Sequence, residues 1–190
     1  DIGAYEYTEV IKDTPFSGGT DVTNYKLFSI PFNPLNGDAD AVLGDDLGEP
    51  PSDWRLSIYD SGLDDYIEYG EEGFPELEPG LGFWLISRYT ASISAEGTPT
   101  PKKGFPVELK PGWNMIGCPF EVEVIWDDIK TANPGLIPDV VSDVLYEYEG
   151  MYVMKNTLVP WKGYWVKNND TAPCTMVIPY PQGGGGEDLG

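Results

Sequence analysis

The sequence predicts a mostly β protein built as a pseudo-two-fold, duplicated antiparallel unit, sandwich or barrel-like, with one short helix in each copy. Three observations predict it. Two strand-like segments, each led by an aromatic residue, run into a Pro-Phe pair. Two Leu-x-Pro-x-x-Gly-aromatic-Trp segments recur in register. Finally, the 23 Gly and 18 Pro are spread along all 190 residues, as many short strands joined by turns require. Hydrophobic residues make up 41% of the chain, with 6 Trp, 12 Tyr and 7 Phe. A chain of this size buries about 70% of its unfolded surface and folds without staples.

The first anchor is Tyr25-Lys26-Leu27-Phe28-Ser29-Ile30-Pro31-Phe32 against Trp113-Asn114-Met115-Ile116-Gly117-Cys118-Pro119-Phe120. In both, proline ends a ladder, because it has no N–H to donate. A short helix is predicted next: residues 38–47 in the first copy, stopped by Gly48 and Pro50-Pro51, and residues 124–130 in the second, stopped near Asn133-Pro134-Gly135. Hairpins follow, residues 54–59 with 65–69 and residues 144–148 with 151–154. The second anchor is Leu77-Glu78-Pro79-Gly80-Leu81-Gly82-Phe83-Trp84 against Leu158-Val159-Pro160-Trp161-Lys162-Gly163-Tyr164-Trp165. Proline presets the turn, and the glycine permits φ > 0 or a close backbone approach. A strand leaves each turn, and a last strand closes each copy at residues 91–94 and 174–178. The anchor offsets, 88 and 81, differ by a change in loop length. The implied organisation is an N-terminal extension (1–23), copy 1 (24–98), a linker with a lead-in strand (99–111), copy 2 (112–180) and a Gly-rich linker (181–190). Both ends read as cuts through a longer chain.

Charge narrows the function. The chain carries 32 Asp plus Glu against 11 Lys plus Arg, net −21. Such a surface repels nucleic acid and anionic membranes and attracts divalent cations or basic partners. No apolar run is long enough to cross a bilayer. There is no histidine, which removes Ser-His-Asp and Cys-His catalysis and His-ligated metals. Two cysteines cannot build a four-thiolate site. Chemistry by carboxylates alone, or by a Ser-Lys pair, stays open.

Asp38, Asp40, Asp45 and Asp46 form an acidic cluster that could offer oxygen ligands to calcium, although Asn36-Gly37-Asp38-Ala39-Asp40 lacks the glycine and distal glutamate of an EF-hand loop. Solvated turn and helix-end carboxylates are the plainer explanation. Cys118 aligns with Ile30 and Cys174 with Ile93, so both thiols are expected at core positions. If their strands are neighbours they form a disulfide; otherwise they pack as two small hydrophobes. Trp84 and Trp165 invite a sugar-stacking reading, against which stands a core role under the repeated turn. Asn169-Asp170-Thr171 is a glycosylation sequon between the last two strands.

Gly112-Trp113-Asn114-Met115-Ile116 … Pro119 followed by Pro160-x-x-Gly163-Tyr164-Trp165 resembles a tandem β repeat of large secreted and cell-surface bacterial proteins, usually found beside adhesin-like, fibronectin-like or sorting domains. The first copy departs from it with Asn24-Tyr25-Lys26. Separately, Asp1-Ile2-Gly3-Ala4-Tyr5-Glu6-Tyr7 is similar to the end of a right-handed parallel β-helix domain. The resemblance implies an extracellular module with no catalytic residue to carry over. Its motif positions (Pro31, Phe32, Pro79, Gly82, Trp84, Pro119, Phe120, Pro160, Gly163, Trp165) are scaffold. The expected function is therefore a non-catalytic structural, adhesion or assembly module, with no resident cofactor. Its partners would be other domains or copies of the same surface protein. The alternative is a module that binds carbohydrate (a glycan partner) or calcium, and a carboxylate-only glycoside hydrolase comes third.

Overall fold

The computed structural model describes residues 10–181. The first half contains β1 (Val10–Phe16), β2 (Lys26–Ser29), β3 (Phe32–Pro34), α1 (Ala39–Leu47), β4 (Trp54–Asp60), β5 (Asp65–Glu68), β6 (Gly82–Ser87) and β7 (Ala91–Pro99). The second contains β8 (Phe105–Leu109), β9 (Gly112–Gly117), β10 (Val124–Ile125), α2 (Trp126–Ala132), β11 (Leu145–Tyr148), β12 (Tyr152–Lys155), β13 (Thr157–Leu158), β14 (Gly163–Asn168) and β15 (Cys174–Ile178). Residues 1–7, which resemble a β-helix end, and residues 182–190 of the Gly-rich stretch lie outside the described residues.

The duplication is written in the sheet topology. The first half makes an antiparallel sheet in the order β2-β6-β4-β5, and the second repeats it as β9-β14-β11-β12. Neither sheet closes on itself, so the architecture is sandwich-like and not a barrel. A smaller sheet accompanies each: β1-β7-β3 in the first half and β15-β8 in the second. Strand β1 thus pairs with β7 as β8 pairs with β15, and it falls inside the segment expected to be an extension. Its Pro15 sits on an outer strand, where a missing N–H costs no ladder bond.

Local chemistry sets the helices. Asp38 caps α1: its carboxylate accepts from the N–H groups of Asp40 and Ala41, and Gly48 ends the helix at φ +93°. In the second half the helix starts later than predicted, at Trp126. Val124 and Ile125 instead pair with Leu158 and Thr157 as a short ladder, which suits their β-branched side chains.

Strand alternation distributes the apolar residues over three clusters. On β6, Phe83 and Leu85 face α1 in a core with Phe28, Leu43 and Trp54. On β14, Tyr164 and Val166 face α2 in a core with Ile116, Cys118 and Ile129. The intervening residues point the other way. Leu27, Trp84, Met115 and Trp165 form a third cluster between the two four-stranded sheets. Each copy therefore owns a core, and the copies share a seam.

The seam is stitched by a crossed pair of contacts. Ser29 N–H donates to Trp161 O at 3.0 Å, and Gly117 N–H donates to Gly80 O at 2.9 Å. By the repeat offsets these two bonds are mates, as are the bridges Phe28↔Lys162 and Leu81↔Ile116. Each Pro-x-x-Gly turn is thus closed by the other copy's strand. Close approach explains the conserved spacing of the glycine: a Cβ on Gly82 would stand 2.5 Å from Ile116 O, and one on Gly163 would stand 3.0 Å from Phe28 O. The positive φ falls two residues earlier, at Gly80 (+89°) and Trp161 (+69°). Trp161 accepts that conformation while its ring packs on Phe28 and Phe32, with centroids 6.0 and 5.5 Å away.

Candidate functional site

The seam opens at one end into a cavity of about 450 Å³ lined by six aromatic residues: Tyr59, Tyr66, Trp113, Tyr146, Tyr152 and Trp165. Both copies build it. Tyr59 and Tyr66 lie directly opposite each other on the β4–β5 hairpin. Tyr146 on β11 lies opposite Trp165 on β14, which in turn runs beside β9, the strand carrying Trp113. Strand alternation sends Leu145 and Glu147 to one face and Tyr146 and Tyr148 to the seam.

The ring planes cross. Tyr59 meets Tyr66 at 62° and Trp165 at 66°, while Trp113 meets Tyr146 at 65° and Trp165 at 87°. Centroid separations of 5.3 to 6.3 Å place all four pairs in edge-to-face contact. Trp165 is the floor, 6% exposed, while Trp113, Tyr66 and Tyr152 form the mouth at 38%, 43% and 57%. The floor carries an unsatisfied donor. Trp165 Nε1 is buried without a hydrogen bond of good geometry, the phenol of Tyr152 being the nearby acceptor. Such a group is costly to leave unpaired.

The walls are held from behind. The Tyr59 hydroxyl donates to Asp64 at 2.6 Å, which, with burial, pushes its pKa up to about 12. Its backbone N–H donates to Met115 Sδ at 3.3 Å. Lys110 Nζ donates to Asp60 at 2.7 Å, holding that carboxyl below the usual aspartate range. Lys167 Nζ stands 5.8 Å from the centre of the Trp113 ring.

Pseudo-symmetry shows what is special here. The ring series Trp113–Trp165, Trp165–Tyr59, Tyr59–Tyr66 has its mate in Tyr25–Trp84, Trp84–Tyr148, Tyr148–Tyr152. The mate is incomplete. Ser57 lies opposite Trp84 where Tyr146 lies opposite Trp165, and Tyr25 replaces Trp113. A separate cleft of about 750 Å³ shares only Tyr25 and Tyr148 with that mate series and is lined by charged residues as well, including Glu147 and Lys162. Those two pair at 2.6 Å.

The residues singled out from sequence take these places. Trp165 is part of the pocket, and Trp84 is its buried mate, in the shared seam rather than in the core under its own turn. Asp38 caps α1 and accepts from the Tyr69 hydroxyl; Asp46 accepts from Ser94 N–H and Oγ; Asp40 and Asp45 lie exposed on α1. Among the described residues no three acidic or cysteine side chains converge as a metal group. Cys118 and Cys174 are free thiols. Cys118 Sγ–H points at the carbonyls of Phe120 and Val122, and burial pushes its pKa up to about 12. The connection after β14 (residues 169–173) is longer than that after β6 (residues 88–90), so the ladders put Cys174 where Ala91 lies and Met176 where Ile93 lies. Ile93 and Met176 are both fully buried. Pro31, Phe32, Pro119 and Phe120 are buried at the strand ends as scaffold. Tyr59, Tyr66, Tyr146 and Tyr152 were not singled out; their signal is that every strand of both hairpins carries a tyrosine.

No helix among the described residues is long and apolar enough to cross a membrane. Fold and site define a duplicated antiparallel β module whose two copies enclose an aromatic-walled pocket. The chain matches no protein-family model, no curated protein and no solved structure.

Proposed function

We propose that this chain is a non-catalytic ligand-binding module of a larger secreted or cell-surface protein, and that the aromatic pocket is its binding site. The carrying observation is that six aromatic side chains from both copies converge on one cavity, of a volume in the usual range for small-molecule sites. Three of them are left partly open to solvent. A core needs no such mouth. None of the lining residues is a carboxylate, lysine, serine or cysteine, and the ionisable groups of the lining are tyrosine phenols, a set suited to recognition. The test is a ligand panel of glycans, small organic cations and proline-rich peptides, followed at the indole N–H resonances of Trp113 and Trp165. A saturable shift that Trp113→Ala and Tyr152→Ala each abolish supports the reading. Silence at both indoles across the whole panel defeats it.

Assembly with further copies is a second reading, favoured by the outer strand β12. It is an edge of its sheet; Tyr152 and Met154 stand 57% and 69% exposed along it, and Met151 just before it stands 69% exposed. Exposed apolar edges pair with other chains. Sedimentation over a wide concentration range tests this; a strict monomer throughout counts against it.

A further inference from the structure

Rings that meet edge to face make walls, whereas a sugar is held on a flat platform. The four ring pairs of the pocket cross at 62° to 87°. Sugar hydroxyls also call for amide, carboxylate or guanidinium partners, and no lining residue supplies one. Crossed walls instead set ring faces of several orientations around one cavity. That is the arrangement in which an alkylated ammonium ion is bound, because its charge is spread over methyl groups that prefer aromatic contact to water.

The charges around the pocket agree. The hairpin turn next to Tyr59 and Tyr66 carries Asp60, Asp64 and Asp65. Against them stand Lys110, which is paired with Asp60, and Lys167. Lys167 already uses a face of Trp113 as a cation site, with its ammonium 5.8 Å from the ring centre. The chain as a whole is at −21, so an approaching cation is drawn in and an anion turned away. The pseudo-symmetric position, with Ser57 in place of Tyr146, lacks one wall and makes no comparable box.

Resting on the binding-module reading above, we propose that the pocket takes an alkylated ammonium group of the choline type. The intact chain is titrated with tetramethylammonium, choline and phosphocholine as chloride or sodium salts, with sodium chloride as the ionic control. The uncharged choline isostere 3,3-dimethylbutan-1-ol is titrated alongside. Shifts of the Trp113 and Trp165 indole resonances are the readout. Expected are saturable shifts with the cations and at least about 10-fold weaker binding of the isostere, the part that the ring faces give to charge. Tyr146→Ser, which installs the first copy's residue, should weaken choline by about 10-fold or more while leaving the melting curve cooperative. Trp113→Ala and Tyr152→Ala, at the exposed mouth, give the same loss without touching the floor.

Sources are told apart by vesicles: co-sedimentation with phosphatidylcholine but not phosphatidylglycerol vesicles supports a displayed headgroup, and choline binding without co-sedimentation supports a soluble cation. Equal affinity for choline and its isostere overturns the proposal and leaves an apolar binding module standing. Shifts with a glycan or a proline-rich peptide but not with any cation overturn it in the same way. If no probe moves either indole, this proposal and the binding reading fall together.

Discussion

The two repeat glycines, Gly82 and Gly163, occupy equivalent places in the sequence yet face different clearances. Alanine at each gives a sharp test of the seam. A Cβ at Gly82 would lie 2.5 Å from Ile116 O and 3.0 Å from Ile116 C and N. Ordinary contact begins near 3.4 Å, so β6 and β9 must part by about 0.9 Å, a shift taken from backbone and not from a pliant side chain. That movement would stretch the neighbouring Gly117 N–Gly80 O bond, now 2.9 Å, past useful length, at about 1 kcal/mol. Overpacking of the seam adds about 1–3 kcal/mol, and the lower entropy of the unfolded alanine chain returns about 0.4–1 kcal/mol. The net loss is about 1–3.6 kcal/mol, a melting-point drop of roughly 2–14 °C for a domain of this size. At Gly163 the nearest atoms are Phe28 O at 3.0 Å and Phe28 N at 3.1 Å. Relief of a few tenths of an ångström there is nearly offset by the same entropy gain, so Gly163→Ala stays within about 1 kcal/mol of the parent. Urea unfolding followed by tryptophan emission and by circular dichroism measures both. Equal costs at the two glycines, or a Gly82→Ala variant as stable as the parent, would refute the crossed-turn geometry.

Three further outcomes follow from the same structure. At Trp161, which sits at φ +69°, Trp161→Gly should be more stable than Trp161→Ala by about 1 kcal/mol, since alanine keeps the left-handed penalty; denaturant midpoints of the two variants decide it. Mass spectrometry without reduction should find two free thiols, and a thiol reagent at pH 8 should label Cys174 before Cys118, because desolvation raises both and Cys118 to about 12; prior labelling of Cys118 would contradict its burial. Tyr59 has a folded pKa of about 12, raised above its ordinary value by the bond to Asp64. Its contribution to stability is therefore complete below about pH 10 and is lost as pH rises through about 12. Asp64→Asn should bring Tyr59 ionisation, seen as ultraviolet absorbance near 295 nm, to lower pH; an unchanged titration would remove Asp64 as the cause.

The scaffold was legible because it is repeated and its alternation is clean. Phe83-Trp84-Leu85 and Tyr164-Trp165-Val166 announce a strand, and the Pro-x-x-Gly turn before each announces where it begins. The choice between positive φ and close approach at Gly82 was not legible, because the atom that demands glycine belongs to Ile116 in the other copy. Strand β1 was hidden for a related reason: its Pro15 and polar residues look like loop until the ladder to β7 is seen. The last strand misled through loop length, since an alignment carried past Asn168 cannot register two inserted residues, and Cys174 was matched with Ile93 in consequence. The pocket was half visible. Trp165 stood out as a repeated aromatic, but the tyrosines around it come from four strands, and only folding brings Tyr59 of one hairpin against Trp165 of the other copy. The acidic cluster shows the converse: Asp38 and Asp46 lie close in sequence, yet one starts a helix and the other fastens β7.

The crossed hydrogen bonds from Ser29 to Trp161 and from Gly117 to Gly80 also bear on how such a module can be inherited. A single copy moved into another gene would arrive with an open turn and a bare aromatic face, so recombination that keeps the fold must move copies in pairs. Once paired, the two halves are free to drift apart where the crossed bonds run from backbone to backbone, while side-chain contacts such as Ser29 Oγ to Lys162 O and the Trp161 ring on Phe28 hold the turn itself. A serine on one side and a tyrosine on the other, at Ser57 and Tyr146, is the kind of divergence that arrangement tolerates, and it is the difference that turns one end of a symmetric joint into a box.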